Sequence, residues 1–233
     1  MIKHIAVAIA LTLTPAAFAQ MYIVPEGDCG AVTLHATRGT DFPNLGETIS
    51  ADRVKDAHVD QDRPVERVMV TPTAGRRSLD FRANVPDREK VVMAAVELKP
   101  VVSGNETRTE HAKAFLFCGA IAPRADWQRS TGLGLEIFPQ GWNGPRPRMK
   151  QGDKMRFIVV DEATPHPLVD LPMELYRAGA GHIGSGVPDQ YGGMDFLYPE
   201  PGRYMVTTTY RRPDPKQPEH WLVDTSTLTF EIK

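Results

Sequence analysis

The sequence has little excess charge and no long apolar run beyond its first twenty residues. Lys and Arg number 27 against 29 Asp and Glu in 233 residues, which leaves a formal net charge of −2. This balance lacks the basic surface that nucleic-acid binding requires, so we expect no nucleic-acid partner. A membrane-spanning helix needs roughly 20 consecutive apolar residues. No later segment approaches that length, so we do not expect an integral membrane protein.

Catalytic motifs are also missing. Gly184-Ser185-Gly186 follows Ile183, so it does not complete the Gly-x-Ser-x-Gly turn of a serine hydrolase. No glycine-rich phosphate loop follows a predicted strand, and no two histidines stand at the His-x-x-x-His spacing of a zinc site. The carboxylates are scattered, so spacing nominates no acid–base pair. We therefore expect a protein that is not an enzyme, and an unrecognised hydrolase stays open as an alternative.

The first 19 residues have the pattern of an export signal. Lys3 gives a positive start, residues 5–13 form an uncharged apolar run, and Ala17-Phe18-Ala19 fits a small-x-small cleavage site. The alternative is a membrane anchor, but the apolar run is too short to span a bilayer. We predict a signal peptide at 1–19 and a soluble mature chain that begins at Gln20 in a bacterial periplasm.

The chain has only two cysteines, Cys29 and Cys118. In an oxidising compartment two thiols usually pair. We therefore predict a Cys29–Cys118 disulfide that ties together the two ends of the N-terminal half. The alternative is a redox-active or metal-binding pair, which the missing Cys-x-x-Cys motif disfavours.

The dominant hydrophobic period after residue 20 is two, not the 3.6 of a helix. Short alternating segments end at Gly, Pro, Asn or Asp, which is typical of an all-β chain. They lie at 22–24, 32–36, 68–70, 79–83, 91–98, 114–117, 133–137, 155–160, 171–176, 194–198, 204–208 and 228–232. About six strands in the last 100 residues is the number in a small Ig-like or transthyretin-like sandwich. We predict two β-sandwich-like domains, 20–120 and 133–233, joined by a connector at 121–132.

Two segments interrupt this pattern. Residues 105–113 are polar, and we expect one helical turn or a loop there. Residues 178–193 hold six glycines, at 179, 181, 184, 186, 192 and 193, and we expect a mobile loop.

Histidines and acidic residues supply candidate metal ligands. Asp56, His58, Asp60 and Asp62 are spaced by two, so a strand places all of them on one face. Imidazole and carboxylate groups bind divalent transition metals such as nickel, cobalt, copper and zinc. We take Asp56, His58 and Asp60 as candidate metal ligands, with His182 in the glycine-rich segment as a fourth. The alternatives are a solvated charged loop for the first group and an exposed loop for His182.

The order of motifs in the C-terminal half resembles a known family. A strand pattern at Leu133–Pro139 precedes a polar gap, and Lys150–Asp153 then turns into the strand that begins at Met155. A turn at Pro201-Gly202-Arg203-Tyr204 follows, and Thr227–Ile232 forms the last strand. This order is similar to that of the exported bacterial family known as domain of unknown function 4198. Some members are labelled periplasmic components of nickel or cobalt uptake. Members often begin with a histidine after cleavage, and here Gln20-Met21-Tyr22 stands instead.

Two functional hypotheses remain. The resemblance implies an exported, non-enzymatic binding or accessory protein linked to nickel or cobalt uptake, with a membrane transporter as a partner. The alternative is an envelope interaction module that binds glycan or protein through a sandwich edge or a loop. Several aromatic residues are candidates for lining such a groove: Trp127, Trp142, Tyr191, Tyr198 and Trp221.

Overall fold

The computed structural model describes residues 19–27, 31–61, 66–84, 91–117, 130–140, 152–164, 166–197 and 200–232. Several predicted features lie outside these residues: all but the last residue of the signal peptide, Cys29 and Cys118 of the disulfide, Asp62, Trp127, Trp142, Tyr198 and most of the connector. The described residues are almost entirely strands, which confirms the all-β prediction. None of their helices is long and apolar enough to cross a membrane.

The first unit contains ten strands and one short 3-10 helix at Ala51–Arg53. The strands are β1 (Gln20–Glu26), β2 (Ala31–Gly39), β3 (Glu47–Thr48), β4 (Val54–Gln61), β5 (Glu66–Met69), β6 (Thr73–Ala74), β7 (Leu79–Asn84), β8 (Val91–Leu98), β9 (Val101–Ser103) and β10 (Glu106–Phe117). One sheet has the order β1-β2-β7-β6, and β3 pairs with β2. The strands β5-β4-β8-β10 form the facing layer.

The second unit repeats this arrangement. Its strands are β11 (Leu135–Gln140), β12 (Lys154–Asp161), β13 (Met173–Arg177), β14 (Gly181–Gly186), β15 (Gly193–Leu197), β16 (Gly202–Asp214) and β17 (Gln217–Ile232). One layer has the order β11-β12-β15, and the other has the order β14-β13-β16-β17. When the seven strands are lettered A, B, C, C′, E, F and G, these layers are A-B-E and C′-C-F-G, which is the Ig-like topology.

A tyrosine corner supports the Ig-like assignment of the second unit. Tyr204 lies near the start of β16, the F strand, and its buried hydroxyl donates to the backbone carbonyl of Glu200 four residues upstream. This contact is a hallmark of Ig-like sandwiches. The first unit has the same strand orders, with β1-β2-β7 as A-B-E and β5-β4-β8-β10 as C′-C-F-G. The prediction of two sandwich-like units is therefore confirmed.

Each sandwich has its own apolar core. Strands β1, β2 and β7 supply one wall of the first core with residues such as Ile23, Leu34 and Phe81, and alternate residues of β4, β8 and β10 supply the other. In the second core, Phe157 packs against Phe196 and Phe230 with ring centroids 6.0 and 5.7 Å apart. Burial of these faces explains the period-two pattern of the sequence.

The two units share a continuous sheet. The last strand of the first unit, β10, pairs in parallel with the last strand of the second, β17, from Glu106 opposite Trp221 to Ala114 opposite Thr229. The A-B-E layers cover opposite faces of this sheet, because Ala114 faces the first core and its neighbour Phe115 faces the second. An approximate two-fold rotation about an axis along β10 and β17 therefore relates the two units.

The first strand of each unit also covers the other unit's sheet. Thr227 of β17 donates its hydroxyl to the carbonyl of Met21 in β1 at 2.7 Å, and Tyr22 and Val24 pack in one cluster with Met205 of β16. On the opposite face, Glu136 of β11 meets Lys113 of β10. These reciprocal contacts and the shared sheet make the two sandwiches one body.

Both interrupted segments contain strands, so the loop predictions were wrong for residues 106–113 and 181–186. Residues 106–117 form a central strand, because its polar side chains find charged partners: Glu110 accepts from Arg38 at 2.5 Å and Lys113 pairs with Glu136. The glycine-rich segment contains β14, which pairs with β13 at the edge of the shared sheet. Gly184 and Gly186 pack against Phe196 and Met194 of β15, whereas Gly179 and Gly181 have positive φ and open space around them.

Candidate functional site

Three of the four candidate metal ligands lie together on β4, as the sequence spacing predicted. Ala57 and Val59 point into the first core, so Asp56, His58 and Asp60 point to the opposite face of the sheet. The Nδ1 atom of His58 lies 3.1 Å from the Asp56 carboxylate, and its Nε2 atom lies 3.9 Å from that of Asp60. The side chains of His58 and Asp60 are fully buried.

The second unit covers this face of β4 and β10. We call the polar layer between the units the seam. Its buried members are His58, Asp60, His111, Lys113, Thr131 and Glu136, and the exposed Arg67 closes it at the surface. Arg67 of β5 donates to the Asp60 carboxylate at 3.2 Å and to the Thr131 carbonyl at 2.7 Å. The seam thus joins the edge of the first unit to the segment that precedes β11.

A buried ion pair forms the centre of the seam. The Lys113 ammonium donates to the Glu136 carboxylate at 2.6 Å, and both side chains are almost completely buried. The same carboxylate accepts from the Thr131 amide and hydroxyl at 2.8 Å each, and from the Ser130 hydroxyl at 2.7 Å. The ring of Phe138 lies 4.2 Å from the ammonium, within cation–π range. Every charge at this point therefore has a partner.

The local environment moves the pKa values of both partners downward. Burial lowers the pKa of Lys113, against the attraction of the Glu136 and Asp60 carboxylates. Burial alone would raise the pKa of Glu136, but the charge of Lys113 and the hydrogen bonds from Lys113, Thr131 and Ser130 outweigh it and hold the pKa below its usual value. The carboxylate is consequently an anion at neutral pH.

Two seam histidines have ring nitrogens without a hydrogen-bond partner among the described residues. They are Nε2 of His58 and both ring nitrogens of His111. The Nε2 atom of His111 lies 3.8 Å from the Asp224 carboxylate, beyond hydrogen-bond distance. His58 of β4 lies opposite Ala95 of β8, and His111 of β10 lies opposite Glu97 of the same strand. The two histidines are therefore separated by strand β8 and by two residues along it, so their rings occupy separate positions.

The fourth candidate ligand, His182, is not part of the seam. It lies on β14 at the far edge of the shared sheet, with β13, β16, β17, β10 and β8 between it and β4. Its ring makes an edge-on contact with Tyr176 at 5.3 Å between centroids. Within the described ranges, no three His, Cys, Asp or Glu side chains gather in an arrangement that could hold a metal ion.

A cleft of about 640 Å³ lies on the outer face of the β11–β12–β15 layer. Phe138, Ile158 and Val160 line it together with the charged residues Glu136, Arg156 and Glu162. Glu136 is held by Lys113, and Arg156 donates to Asp189 at 2.5 Å and to Asp195 at 3.0 Å. The charges of Glu136 and Arg156 are thus already paired within the protein, and Glu162 is exposed.

The edge strand β14 presents a different kind of surface. Its sequence, Gly-His-Ile-Gly-Ser-Gly, is mostly exposed. Positions 184 and 186 face the other layer: a Cβ on Gly186 would lie 2.6 Å from the end of the Met194 side chain, which would have to move, and one on Gly184 would make an ordinary contact with the Phe196 ring at 3.5 Å. The strand pairs with β13 on one side only, and a bulge opposite Leu175 and Tyr176 is its one irregularity.

The other edge strands of the described sheets carry the features that normally prevent edge pairing, namely charge, proline or short length. Charged residues or proline occur in four of them: β1 has Pro25 and Glu26, β5 has Glu66 and Arg67, β11 has Glu136 and Pro139, and β15 has Asp195. The strands β3, β6 and β9 have only two or three residues. Among the edge strands of the described sheets, β14 alone combines six residues with no charge and no proline, and the bulge at Ile183 is its one protective feature.

Sequence reasoning missed both the seam pair and the β14 edge. The signal for β14 was present, because Gly184 and Gly186 alternate with Ile183 and Ser185 at the period of a strand. No local signal connects Lys113 with Glu136, which lie 23 residues apart in the chain.

No family model matches the chain, and no curated protein matches it. Among solved structures it is similar to a chimeric titin Z1Z2 functionalised with a KLER exogenous peptide from decorin, at 16% identity over 94% of this chain and 98% of that chain, with a TM-score of 0.21.

Two further likenesses are to native alpha-2-macroglobulin from Escherichia coli spanning domains MG0-NIE-MG1, and to the BSP domain of a biofilm associated protein. The first has 10% identity over 90% of this chain and 69% of that chain, with a TM-score of 0.25. The second has 10% identity over 95% of this chain and 52% of that chain, with a TM-score of 0.23. TM-scores this low say nothing about function, and the Ig-like assignment rests on the strand orders and the tyrosine corner.

Proposed function

We propose that the protein is an exported, non-enzymatic interaction module that binds an extended segment of a partner protein along β14. The observation that carries this proposal is the long, uncharged and exposed edge of that strand. An edge strand has a row of backbone N–H and C=O groups without a ladder partner. A second strand that aligns with this row gains main-chain hydrogen bonds without needing a deep pocket.

The surroundings of β14 favour an apolar polypeptide as the added strand. Ile183 of β14 and Val187 and Tyr191 of the loop that follows are all exposed. Such side chains contribute affinity only when a partner removes them from water. A strand with apolar residues at alternate positions satisfies both the backbone edge and these side chains.

Selection from a displayed library of short extended peptides tests this function. The purified chain is the bait, and the Ile183→Lys/Ser185→Lys variant is the counter-selection, because edge lysines block strand addition. We expect uncharged, β-branched peptides that bind the parent and lose at least about tenfold affinity for the variant, a difference of about 1.4 kcal/mol. Met69→Lys on the opposite edge strand is the matched control and should leave binding unchanged. Peptides that bind both variants equally would contradict the proposal.

A transition-metal role is the second candidate, and its support is the buried His58 ring, whose Nε2 atom has no hydrogen-bond partner among the described residues. This version keeps the resemblance to domain of unknown function 4198 and a link to nickel or cobalt uptake through a membrane transporter. Native mass spectrometry with nickel, cobalt, copper or zinc tests it. A one-to-one adduct that His58→Ala removes supports the role, and its absence for all four metals rejects it.

A further inference from the structure

We infer that the cleft on the outer face of the β11–β12–β15 layer binds a small organic cation, namely a primary ammonium group with an apolar body. This site is separate from the β14 edge, so it stands or falls independently of the proposed function. Its volume of about 640 Å³ lies within the usual range of small-molecule sites. Such sites combine an apolar lining with a few polar groups that fix the orientation of the ligand.

The cleft side chains form a line along β12. Ile158 and Val160 alternate with the core residues of this strand, so they face outward, and Phe138 of β11 lies opposite Ile158. Just past the end of β12, the Glu162 amide donates to the Gly134 carbonyl at 2.9 Å, which continues the pairing with β11 and keeps Glu162 on the outward side. Four residues at about 3.3 Å each separate Ile158 from Glu162, so an apolar surface about 13 Å long ends at a carboxylate.

Glu162 supplies the charge that the protein leaves available in this cleft. The other two charged residues of the lining, Glu136 and Arg156, are held by ion pairs, whereas none of the ion pairs among the described residues includes Glu162. The Lys55 ammonium, whose charge interacts with Glu162, is itself bound to Glu97 at 2.7 Å. A cationic ligand gives the Glu162 carboxylate a partner, and an anionic ligand meets repulsion.

The corresponding outer face of the first unit is filled by the protein itself. Tyr22 on the outward side of β1 packs in one buried cluster with Phe42 and Met205. In the second unit, Ile158 and Val160 are only partly buried and line the open cleft. An apolar body in the cleft removes these side chains from water, which is favourable in proportion to the apolar area that it covers.

Titration calorimetry at neutral pH with three eight-carbon probes tests the recognition of charge. Octylamine is a cation at this pH, 1-octanol is neutral and octanoate is an anion. We expect affinity to fall in that order by about two- to fivefold at each step, which is the contribution of an exposed ion pair. Glu162→Lys should reverse the order. Glu219→Lys, at an exposed glutamate of β17 outside the cleft, is the matched control and should leave the order unchanged.

Chain length and location test the apolar part of the site. Butylamine, hexylamine and octylamine should bind progressively more tightly, by up to about fourfold for each CH₂ group that the cleft removes from water. Ile158→Ala should weaken the binding of octylamine, whereas Val169→Ala, at an exposed valine outside the cleft lining, should not. Amide NMR shifts on adding octylamine should concentrate at 136–140 and 156–162.

Several results would overturn the inference. They are equal affinity of the parent for octylamine and octanoate, an order that Glu162→Lys does not reverse, and shifts that concentrate elsewhere in the chain. A parent chain that binds none of the probes rejects it outright. None of these results changes the expected binding of selected peptides to β14.

Discussion

Removing both partners of the Lys113–Glu136 pair should destabilise the protein by less than the sum of the losses from removing each partner alone. The pair lies between the two sandwiches, with Lys113 fully buried and Glu136 nearly so. Lys113→Met leaves a buried carboxylate without its cation, and Glu136→Leu leaves a buried ammonium whose other nearby carboxylate, Asp60, is already bound to Arg67. Breaking a buried ion pair in this way typically costs about 3 to 5 kcal/mol.

The double variant Lys113→Met/Glu136→Leu removes both charges together. The hydroxyls of Ser130 and Thr131 and the Thr131 amide then lose their acceptor. Ser130 is exposed and can turn to water, but both Thr131 donors are buried, and at about 1 to 3 kcal/mol for each unsatisfied donor they cost about 2 to 6 kcal/mol. The sum of the two single variants is about 6 to 10 kcal/mol, so at the midpoints of these ranges the coupling free energy between the positions is about 4 kcal/mol.

Equilibrium urea unfolding of the four chains at neutral pH measures this double-mutant cycle. For a chain of this size, each 1 kcal/mol also shifts the melting temperature by about 2 to 4 °C, which gives an independent reading. Single-variant losses below about 1 kcal/mol would mean that the pair is solvated. Losses that simply add in the double variant would mean that Lys113 and Glu136 do not interact, and either result refutes the reasoning.

Three further predictions concern other parts of the fold. Gly46→Ala should lower the free energy of unfolding by about 3 kcal/mol, measured by thermal melting, because its Cβ would lie 2.1 Å from the Arg38 carbonyl oxygen. Its control, Gly104→Ala, would meet no atom within 4 Å and should cost only about 1 to 2 kcal/mol, because residue 104 has a positive φ. Tyr204→Phe should lose about 1 kcal/mol through the missing bond to the Glu200 carbonyl, and an unchanged urea midpoint would argue against the tyrosine corner. The folded pKa of Glu136 is depressed, so its stabilising effect is complete above its usual value of 4.5 and is lost as the pH falls through the folded value. The difference in unfolding free energy between the parent and Glu136→Gln should therefore shrink as the pH is lowered below 4.5, and a constant difference would contradict the assignment.

The fold class could be predicted from the sequence because each sandwich buries one face of its strands. The alternation of Leu79, Phe81 and Ala83 reports directly on the first core, and that of Met155, Phe157 and Val159 on the second. What could not be predicted is the joining of the units. A parallel pairing between β10 and β17 connects residues more than 100 positions apart, and period-two patterns do not specify which strands meet.

The same limit explains the two wrong segments. Residues 105–113 were predicted to form one helical turn or a loop because the stretch is polar. The partners of Glu110 and Lys113, which are Arg38 and Glu136, lie far away in the chain. Residues 178–193 looked mobile because glycine usually marks a loop. At Gly186 the cause is contact with Met194 of the other layer, which no local composition reveals.

The candidate site was predicted in part. The spacing of Asp56, His58 and Asp60 correctly implied one face of a strand, because side-chain direction depends only on local period. It did not reveal that the second unit buries this face or that five strands separate His182 from β4. Whether a metal binds there stays a prediction, as do the signal peptide and the Cys29–Cys118 disulfide.

Hydrogen exchange across residues 181–186 tests the central claim, that β14 offers an open pairing edge, most directly. About half of the amides in an edge strand point away from their one neighbour and have no ladder partner. In the dilute chain we predict fast exchange at alternate amides of β14, and protection of those amides when a pairing strand is added, with no change at 66–69. Full protection of β14 in the dilute chain would mean that the edge is already covered. That result, or protection that appears elsewhere on adding the strand, would contradict the account.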